Sequence, residues 1–480
     1  MEGSRSVMAR KVALARAIIP QTEKCIKCNN CMTICPLAAP TSWGTETFVQ
    51  LTRFPHLLTY DPLFYCFYCQ LCPDVCPMNI DVPRAVEEMK ERFNREERGR
   101  LINFLLSQAD LMTRMGSRTD PVSNILLRFP LARAFLEKTV GIDRRRDFPE
   151  FERQTFRQWF SRRSQEIAPA SSGRIQISST TEESSQAAQP REVTGQGVER
   201  PSAGATQPSR EREDHDKAPP WAKKPFVGIA NTQPAAPLPS KDLKVAYFVG
   251  CFADRCDPQL AQTLVKILEQ NGIEVIVPEQ KCCGLPQLAY GRTQDFHKNA
   301  GFNLKVLSQA VREGYQIVTA CDSCALALKR EYPHFLPTEE ARVVAGRSFE
   351  ICEYLLMLRY EGKLALDLKE VPLRVTHKTP CHAIAQGTQQ AGLRLVDLVP
   401  GLTRVEIQDN CCGIGGTFGF KHESFDISMK IGERLFREIE KAEVDRVITT
   451  CPTCKLQIEQ GTGIQTIHPL ELLSTAYWVE

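Results

Sequence analysis

The chain has 480 residues, with 60 Lys+Arg, 57 Asp+Glu and 20 cysteines. A net charge of +3 gives no whole-chain case for nucleic acid, and no run of about 18 or more apolar residues offers a spanning helix. Cysteines gathered in tight clusters argue for metal in a reducing compartment rather than a disulfide framework.

Taken in order, the acid-poor start MEGSRSVMARKVALARAIIP reads either as a transit-type segment or as a helix beside the first metal site; its short length favours the helix. Two CxxCxxCxxxCP runs follow, CIKCNNCMTICP from Cys25 and CFYCQLCPDVCP from Cys66. In such pairs the first three cysteines of a run hold one 4Fe-4S cluster and the fourth crosses to the other. The expected sets are Cys25, Cys28, Cys31 and Cys76, and Cys66, Cys69, Cys72 and Cys35. Pro36 and Pro77 fix φ behind each fourth cysteine and turn the chain away. Zinc is the competing reading, but its structural sites pair two CxxC units or mix Cys with His, which fits triplets followed by Cys-Pro poorly.

Asp81 is a candidate helix cap with Pro83 in the first turn, and the helix that follows closes a ferredoxin-like unit over residues 1–100. Residues 101–163 form a helical cap, with apolar residues at helical spacing through 101–139. At its end, Phe148, Phe151, Phe156, Trp159 and Phe160 interleave with Arg153, Arg157, Arg162 and Arg163. That mixture suits a membrane interface, and it equally suits a helix whose aromatic side packs inward while its arginines reach water. Residues 1–163 carry 25 Lys+Arg against 18 Asp+Glu, a surplus of seven that points weakly to an anionic surface or acidic partner. From 164 to 240 the composition turns to Ser, Thr, Gln, Pro, Glu and Gly, a disordered linker too poor in apolar groups to offset its ordering entropy.

The remainder is a duplication. Cys251 and Cys381 are 130 positions apart, Cys283 and Cys412 129, and Cys324 and Cys454 130. Two related α/β domains are expected, over 241–370 and 371–480. In each, a strand (KVAYFVG; LRVTHKTP) ends in a cysteine, a second (IEVIVPE; TRVEIQD) in CCG and a third (QIVTAC; RVITTC) in CxxC, with helices between. Asp257, Pro258 and Gly272 mark the ends of the first helix. Strand alternating with helix implies a mainly parallel sheet with its ligands beyond the carboxyl ends of the strands. Each copy offers five thiols: Cys251, Cys282, Cys283, Cys321 and Cys324, then Cys381, Cys411, Cys412, Cys451 and Cys454. Five exceed what one zinc can use, so an iron–sulfur cluster in each copy is favoured over a redox CxxC pair or buried free thiols. Gly284 and Gly413 are read as letting the backbone pass a bulky centre. Cys256 and Cys352 fall outside the repeat as small buried residues. His382 is read either as a tuner of a cluster sulfur or as a structural histidine, and Lys281 as a solvated loop residue.

The double ferredoxin motif followed twice by Cys…CCG…CxxC resembles the cysteine-rich (CCG-domain) electron-transfer proteins. That family includes the B and D subunits of heterodisulfide reductase, the iron–sulfur subunits of glycolate oxidase and lactate utilisation, and the C subunit of anaerobic glycerol-3-phosphate dehydrogenase. The resemblance to the last extends to FLLSQADLM at 104, TFRQWF at 155, GCF at 250, KCCGLPQLAYG at 281, LALKREYP at 326, HKTPCH at 377, CCGIGGTFGFK at 411 and CPTCKLQIEQGTG at 451. The resemblance implies a subunit with no substrate-oxidising site of its own. It would take electrons from flavoprotein dehydrogenase partners and pass them to membrane quinone of the menaquinone type, in the cytoplasm and peripheral on the inner face of the cell membrane. The alternative is a heterodisulfide-type reductase working at a CCG cluster. The long linker departs from the family pattern.

Overall fold

The computed structural model describes residues 24–26, 28–38, 60–97, 101–167, 243–364 and 367–477. The N-terminal basic segment, and the expected linker beyond residue 167, lie outside them. The architecture that follows, apart from the last turns of the helix that ends at residue 167, belongs to one compact unit.

The two cysteine runs fold alike. A short helix, Asn30–Ile34 or Cys72–Val75, carries the third cysteine, and the fourth is extended, with ψ 117° at Cys35 and 115° at Cys76. Asn29 and Gln70 follow the second cysteine of each run in the left-handed region (φ 61° both), so the backbone reverses within a single residue. The helix Val82–Glu97 begins as expected: the Arg84 N–H donates to Asp81 Oδ1 (3.2 Å) and Pro83 sits in the first turn. Its buried face is Val82, Ala85, Val86 and Met89, a helical stripe.

The cap comprises helices Leu101–Ser107, Ala109–Arg118, Val122–Arg128 and Pro130–Val140. The first buries Ile102 and Leu106, whereas the last two bury no residue. The helix Phe156–Ile167 decides between a membrane-facing and an inward-facing aromatic side. Phe156 is wholly buried with its ring 5.5 Å from that of Tyr247, and Trp159 and Phe160 pack on the same core. Arg157 turns to the Gln280 carbonyl (3.2 Å) and to Asp254 (3.7 Å). The aromatic side faces the protein.

Each repeat is a four-stranded parallel sheet. In the first copy, β1 (Lys244–Tyr247), β2 (Glu274–Ile276), β3 (Gln316–Thr319) and β4 (Ser348–Glu350) lie in the order β2-β1-β3-β4. In the second, β5 (Arg374–His377), β6 (Thr403–Arg404), β7 (Arg446–Ile448) and β8 (Thr466–Ile467) lie in the order β6-β5-β7-β8. Each central strand buries its middle residues, Val245 and Ala246 in β1, Ile317 and Val318 in β3, Val375 and Thr376 in β5, as strands covered on both faces do. β4 and β8 add a fourth strand to the three expected in each copy, being too short to show a period of two. Asp257 accepts from the Leu260 N–H (3.2 Å) at the start of helix Pro258–Gln270, and Gly272 follows that helix with φ 73°.

The sheet order reverses between β1 and β3, and again between β5 and β7, which opens a crevice at the strand carboxyl ends. The core beneath is shared: Val245 and Val318 of the first copy and Val375 and Ile448 of the second belong to one apolar cluster. The ferredoxin-like helices dock on this pair through buried polar contacts. Lys90 Nζ donates to the carbonyls of Cys66 (2.6 Å) and Ala289 (2.7 Å), Asn94 to Tyr290 O (2.7 Å), and the Tyr68 hydroxyl to Glu331 (3.0 Å).

Candidate iron–sulfur centres

The crossing of the fourth cysteines is visible in the ferredoxin-like unit. Cys25, Cys28, Cys31 and Cys76 line one cavity with Ile26, Pro77 and Ile80. Cys35, Cys66, Cys69 and Cys72 line another with Ile34, Pro36 and Phe67. Burial, and then the neighbouring Cys28 and Cys25, push the Cys31 thiol up to about 11. Cys72 and Cys69 are pushed well up by burial, and at Cys69 the next influence is Cys381 of the second copy. Thiols this crowded and desolvated are poor free acids. They become good ligands once a cation replaces their protons.

In each copy the five thiols form an unbroken chain of contacts. Cys282 touches Cys251 and Cys283, and Cys324 touches Cys283 and Cys321. Cys411 touches Cys381 and Cys412, and Cys454 touches Cys412 and Cys451, with Cys412 Sγ 3.2 Å from Cys454 Sγ. The strand ends supply these residues in the same order in both copies, because the same crossover brings three loops to one crevice. Cys283 is pushed down to about 6 by hydrogen bonds from Cys282 and Cys324, and Cys412 is lowered in the same way by Cys411 and Cys454. Backbone N–H groups also reach sulfur, Gly413 to Cys411 (3.4 Å) and Cys454 to Cys451 (3.5 Å). Five sulfurs linked in a chain exceed one tetrahedral ion and fit a centre of several irons.

The chain matches the cysteine-rich (CCG) domain family over residues 245–329 and 375–459 and the 4Fe-4S dicluster domain family over 24–80. The C subunit of anaerobic glycerol-3-phosphate dehydrogenase from Escherichia coli K12 is 29% identical over 464 residues, 95% of this chain and 98% of that one. Lactate utilization protein A from Geobacillus thermodenitrificans is 32% identical over 247 residues, 48% of this chain and 99% of that protein. The chain belongs to the CCG iron–sulfur family. The B subunit of fumarate reductase (CoM/CoB) from Methanothermobacter marburgensis is also similar, 34% identical over 245 residues, 49% of this chain and 46% of that one.

Several residues of this CCG protein have surroundings that sequence reasoning left open or missed. His382 follows Cys381 but turns away from sulfur: Nδ1 lies 2.9 Å from Ser323 Oγ and Nε2 3.2 Å from the Tyr68 carbonyl oxygen. A carbonyl only accepts, so Nε2 carries the proton and Nδ1 accepts from the serine hydroxyl. Burial depresses its pKa to about 4, which keeps the ring neutral. Ser323 lies between Cys321 and Cys324 and Tyr68 between Cys66 and Cys69, so one imidazole joins the loops of three cysteine groups.

Lys378 was missed. It is buried, forms a 3.0 Å ion pair with Asp409, and lies near Cys381, Cys454 and Cys412. Lys281 is exposed, its ammonium 4.8 Å from the Phe302 ring centre.

The glycines after the paired cysteines are crowded by protein atoms. A Cβ on Gly284 (φ 87°) would meet the Phe296 ring at 2.5 Å, and one on Gly413 (φ 89°) would run into the Ser428 carbonyl. Gly250 (φ 74°) is the one whose Cβ would crowd a sulfur, Cys324 Sγ at 3.2 Å. Cys352 is buried in the apolar core and donates its N–H to Glu350 Oε2 (2.8 Å). With Glu350 and His468 it makes a metal-like trio. His468 Nδ1, however, accepts the Leu470 N–H (3.1 Å), so Nε2 holds the proton and offers no lone pair to an ion.

Proposed function

We propose that this protein is the electron-transfer subunit of a flavoprotein dehydrogenase of the glycerol-3-phosphate type, delivering electrons to membrane quinone under anaerobic conditions. In this reading Cys25, Cys28, Cys31 and Cys76 hold one 4Fe-4S cluster and Cys35, Cys66, Cys69 and Cys72 a second. The five thiols of each CCG copy hold two further iron–sulfur centres. Bound there, such clusters accept and release single electrons, which divides a flavin's two-electron delivery into steps of one.

The observation that carries the reading is the contiguity of the cysteine groups. Cys72 of the ferredoxin-like unit and Cys412 and Cys454 of the second copy share one apolar core, and Tyr68 packs in the core of Cys282, Cys283 and Cys324. The second ferredoxin-like site thus borders both CCG sites, and the protein's part is to space these groups and exclude water between them.

No helix among the described residues is long and apolar enough to cross a membrane. Contact with lipid falls to the cap, where Met115 (62%), Val122 (66%), Leu131 (86%) and Phe135 (66%) are exposed. Exposed Arg114, Arg118, Arg128 and Lys138 on the same helices suit anionic headgroups.

The test is anaerobic. Protein loaded with about 16 irons per chain, reduced by its flavoprotein partner, should reduce a menaquinone analogue and ignore mixed disulfides. Rapid disulfide turnover would replace the relay with disulfide chemistry at a CCG centre. Colourless or zinc-bearing protein would remove both.

A further inference from the structure

The helix that starts at the first cysteine of each CCG copy has different neighbours in the two copies. In the second copy that helix, Cys381–Gln386, lies inside the protein. His382 reaches Ser323 and the Tyr68 carbonyl, the Gln386 amide donates to Asp322 O (3.0 Å), and Arg330 donates to Ala385 O (2.5 Å). The first copy and a ferredoxin-like loop cover it. In the first copy the equivalent helix, Cys251–Arg255, is covered by the cap.

Arg255 Nη1 donates to Asp110 Oδ1 (2.7 Å) and Thr113 Oγ1 (3.3 Å), and the Arg255 carbonyl accepts the Glu152 N–H (2.8 Å). Asp110 and Thr113 belong to the helix Ala109–Arg118, with Ser117 buried on the same side. The helical period turns Leu111, Met115 and Arg118 away from that side, and all three are exposed. One helix thus touches a cysteine-bearing helix with one face and solvent with an apolar face rimmed by arginine. That outer face continues over the helices Val122–Arg128 and Pro130–Val140, where Val122, Leu131 and Phe135 are exposed.

The cap also reaches the second copy, but through a contact that turns inward. Arg146 is wholly buried, donates to Gly419 O (2.8 Å) and Gln457 (2.6 Å), and lies against the rings of Phe420 and Phe425. The surface beside it is charged, with Arg145 paired to Asp143 and Asp426 (2.8 Å each). The second copy instead adjoins the ferredoxin-like unit: Cys35 and Cys411 share a small apolar cluster with Phe67 and Phe418.

A helix with its side chains is about 10 Å across. Seating the outer face of Ala109–Arg118 on a bilayer leaves about that thickness between lipid and the helix that starts at Cys251. We propose, resting on the electron-transfer role inferred for this chain, that the first CCG crevice, Cys251 to Cys324, is the one that membrane binding brings beside the lipid. It is therefore the crevice that a lipid-borne quinone meets, while the second crevice serves the ferredoxin-like side. The quinone takes two electrons singly, originating from the reduced flavin, and two protons from water at the headgroups, and leaves as the quinol. No bond of this chain forms or breaks.

The experiment binds anaerobically purified, iron-analysed full-length protein to anionic vesicles with and without a nitroxide-bearing lipid and follows the iron–sulfur signals by electron paramagnetic resonance. Magnetic relaxation by the nitroxide falls steeply with distance, so it marks the CCG group nearer the lipid. Cys251→Ser and Cys381→Ser assign the two signals, and either variant alone suffices because each leaves the other group's signal in place. The first-copy signal should relax several-fold faster, and Leu131→Ser/Phe135→Ser should abolish the difference. A second measurement needs neither iron nor a cysteine variant: vesicles should slow amide hydrogen exchange across Ala109–Arg118 and leave the helix His422–Ala442, which packs on the Cys454 helix, unchanged. Stronger relaxation of the second-copy signal, equal relaxation of both, none in vesicle-bound protein, or slowed exchange at His422–Ala442 would overturn this orientation and leave the electron-transfer role standing. Wild-type protein that carries no iron at the CCG groups, or that does not bind vesicles, would overturn that role as proposed, and the orientation with it.

Discussion

His382 Nε2 lies 3.2 Å from the carbonyl oxygen of Tyr68, 314 positions earlier in the chain, and the other ring nitrogen takes the Ser323 hydroxyl at 2.9 Å. The side chain is a strut between a ferredoxin-like loop and both CCG copies. His382→Ala strands a buried carbonyl and a hydroxyl and should lower stability by about 2 kcal/mol or more. Gln, which can both donate and accept, should recover most of it. Anaerobic thermal unfolding of the three proteins checks this, and an unchanged Tm in the alanine variant would show that the strut contributes nothing to stability.

Glu87 carries the docking of the helix Val82–Glu97 into a pH dependence. Its carboxyl accepts the Thr293 hydroxyl, and burial, partly opposed by that bond, pushes its pKa up to about 7 from the ordinary 4.5. The folded protein therefore keeps a proton that the unfolded chain releases. The stabilisation is complete below pH 4.5 and is lost as pH rises through 7, on the order of 3 kcal/mol in all. Between pH 5.5 and 7.5 the Tm of the wild type should fall more steeply than that of Glu87→Gln. Parallel slopes would remove Glu87 as the cause.

The exposed side chains of the cap and the inward-packed side chains of the aromatic helix are expected to respond differently to substitution. Leu131→Ser/Phe135→Ser should weaken binding to anionic vesicles about tenfold with little change in Tm, because both side chains already face solvent. Trp159→Ser/Phe160→Ser should destabilise the fold by about 3 kcal/mol or more, because both pack on the shared core. Vesicle sedimentation alongside thermal melts separates the two. Vesicle binding that survives the first pair of substitutions and fails with the second would reverse the assignment.

Gly413 and Gly416 stand three residues apart with φ 89° and 64° and opposite surroundings. Gly413→Ala drives a Cβ into the Ser428 carbonyl and to 2.9 Å from the Gly432 nitrogen, whereas Gly416→Ala meets nothing within 4 Å. The first should cost several-fold more stability than the second, for which only the left-handed backbone penalty of about 1 kcal/mol applies. Iron retention after mild heating, compared with Tm, reads out both. Equal losses would mean that the close approach to Ser428 is relieved by local movement.

Much of the architecture could be read from residue order because it depends on short-range spacing. A CxxCxxC run can wrap only what its own few residues reach, so the grouping of thiols within each run was legible, as was the 130-residue repeat and the strand-to-cysteine order within it. The fourth strands were not, since two or three residues carry no usable periodicity.

Sequence alone, then, determined which sulfurs belong together and that the second half is one design used twice. Tertiary structure decided what surrounds them: that Trp159 and Phe160 turn inward, that His382 meets Tyr68 and Ser323, and that Lys378 is buried against Asp409. The reason is physical. Ligand spacing is written in covalent distance along the chain, whereas burial and charge at a site depend on residues brought near by packing, which leave no local pattern to read.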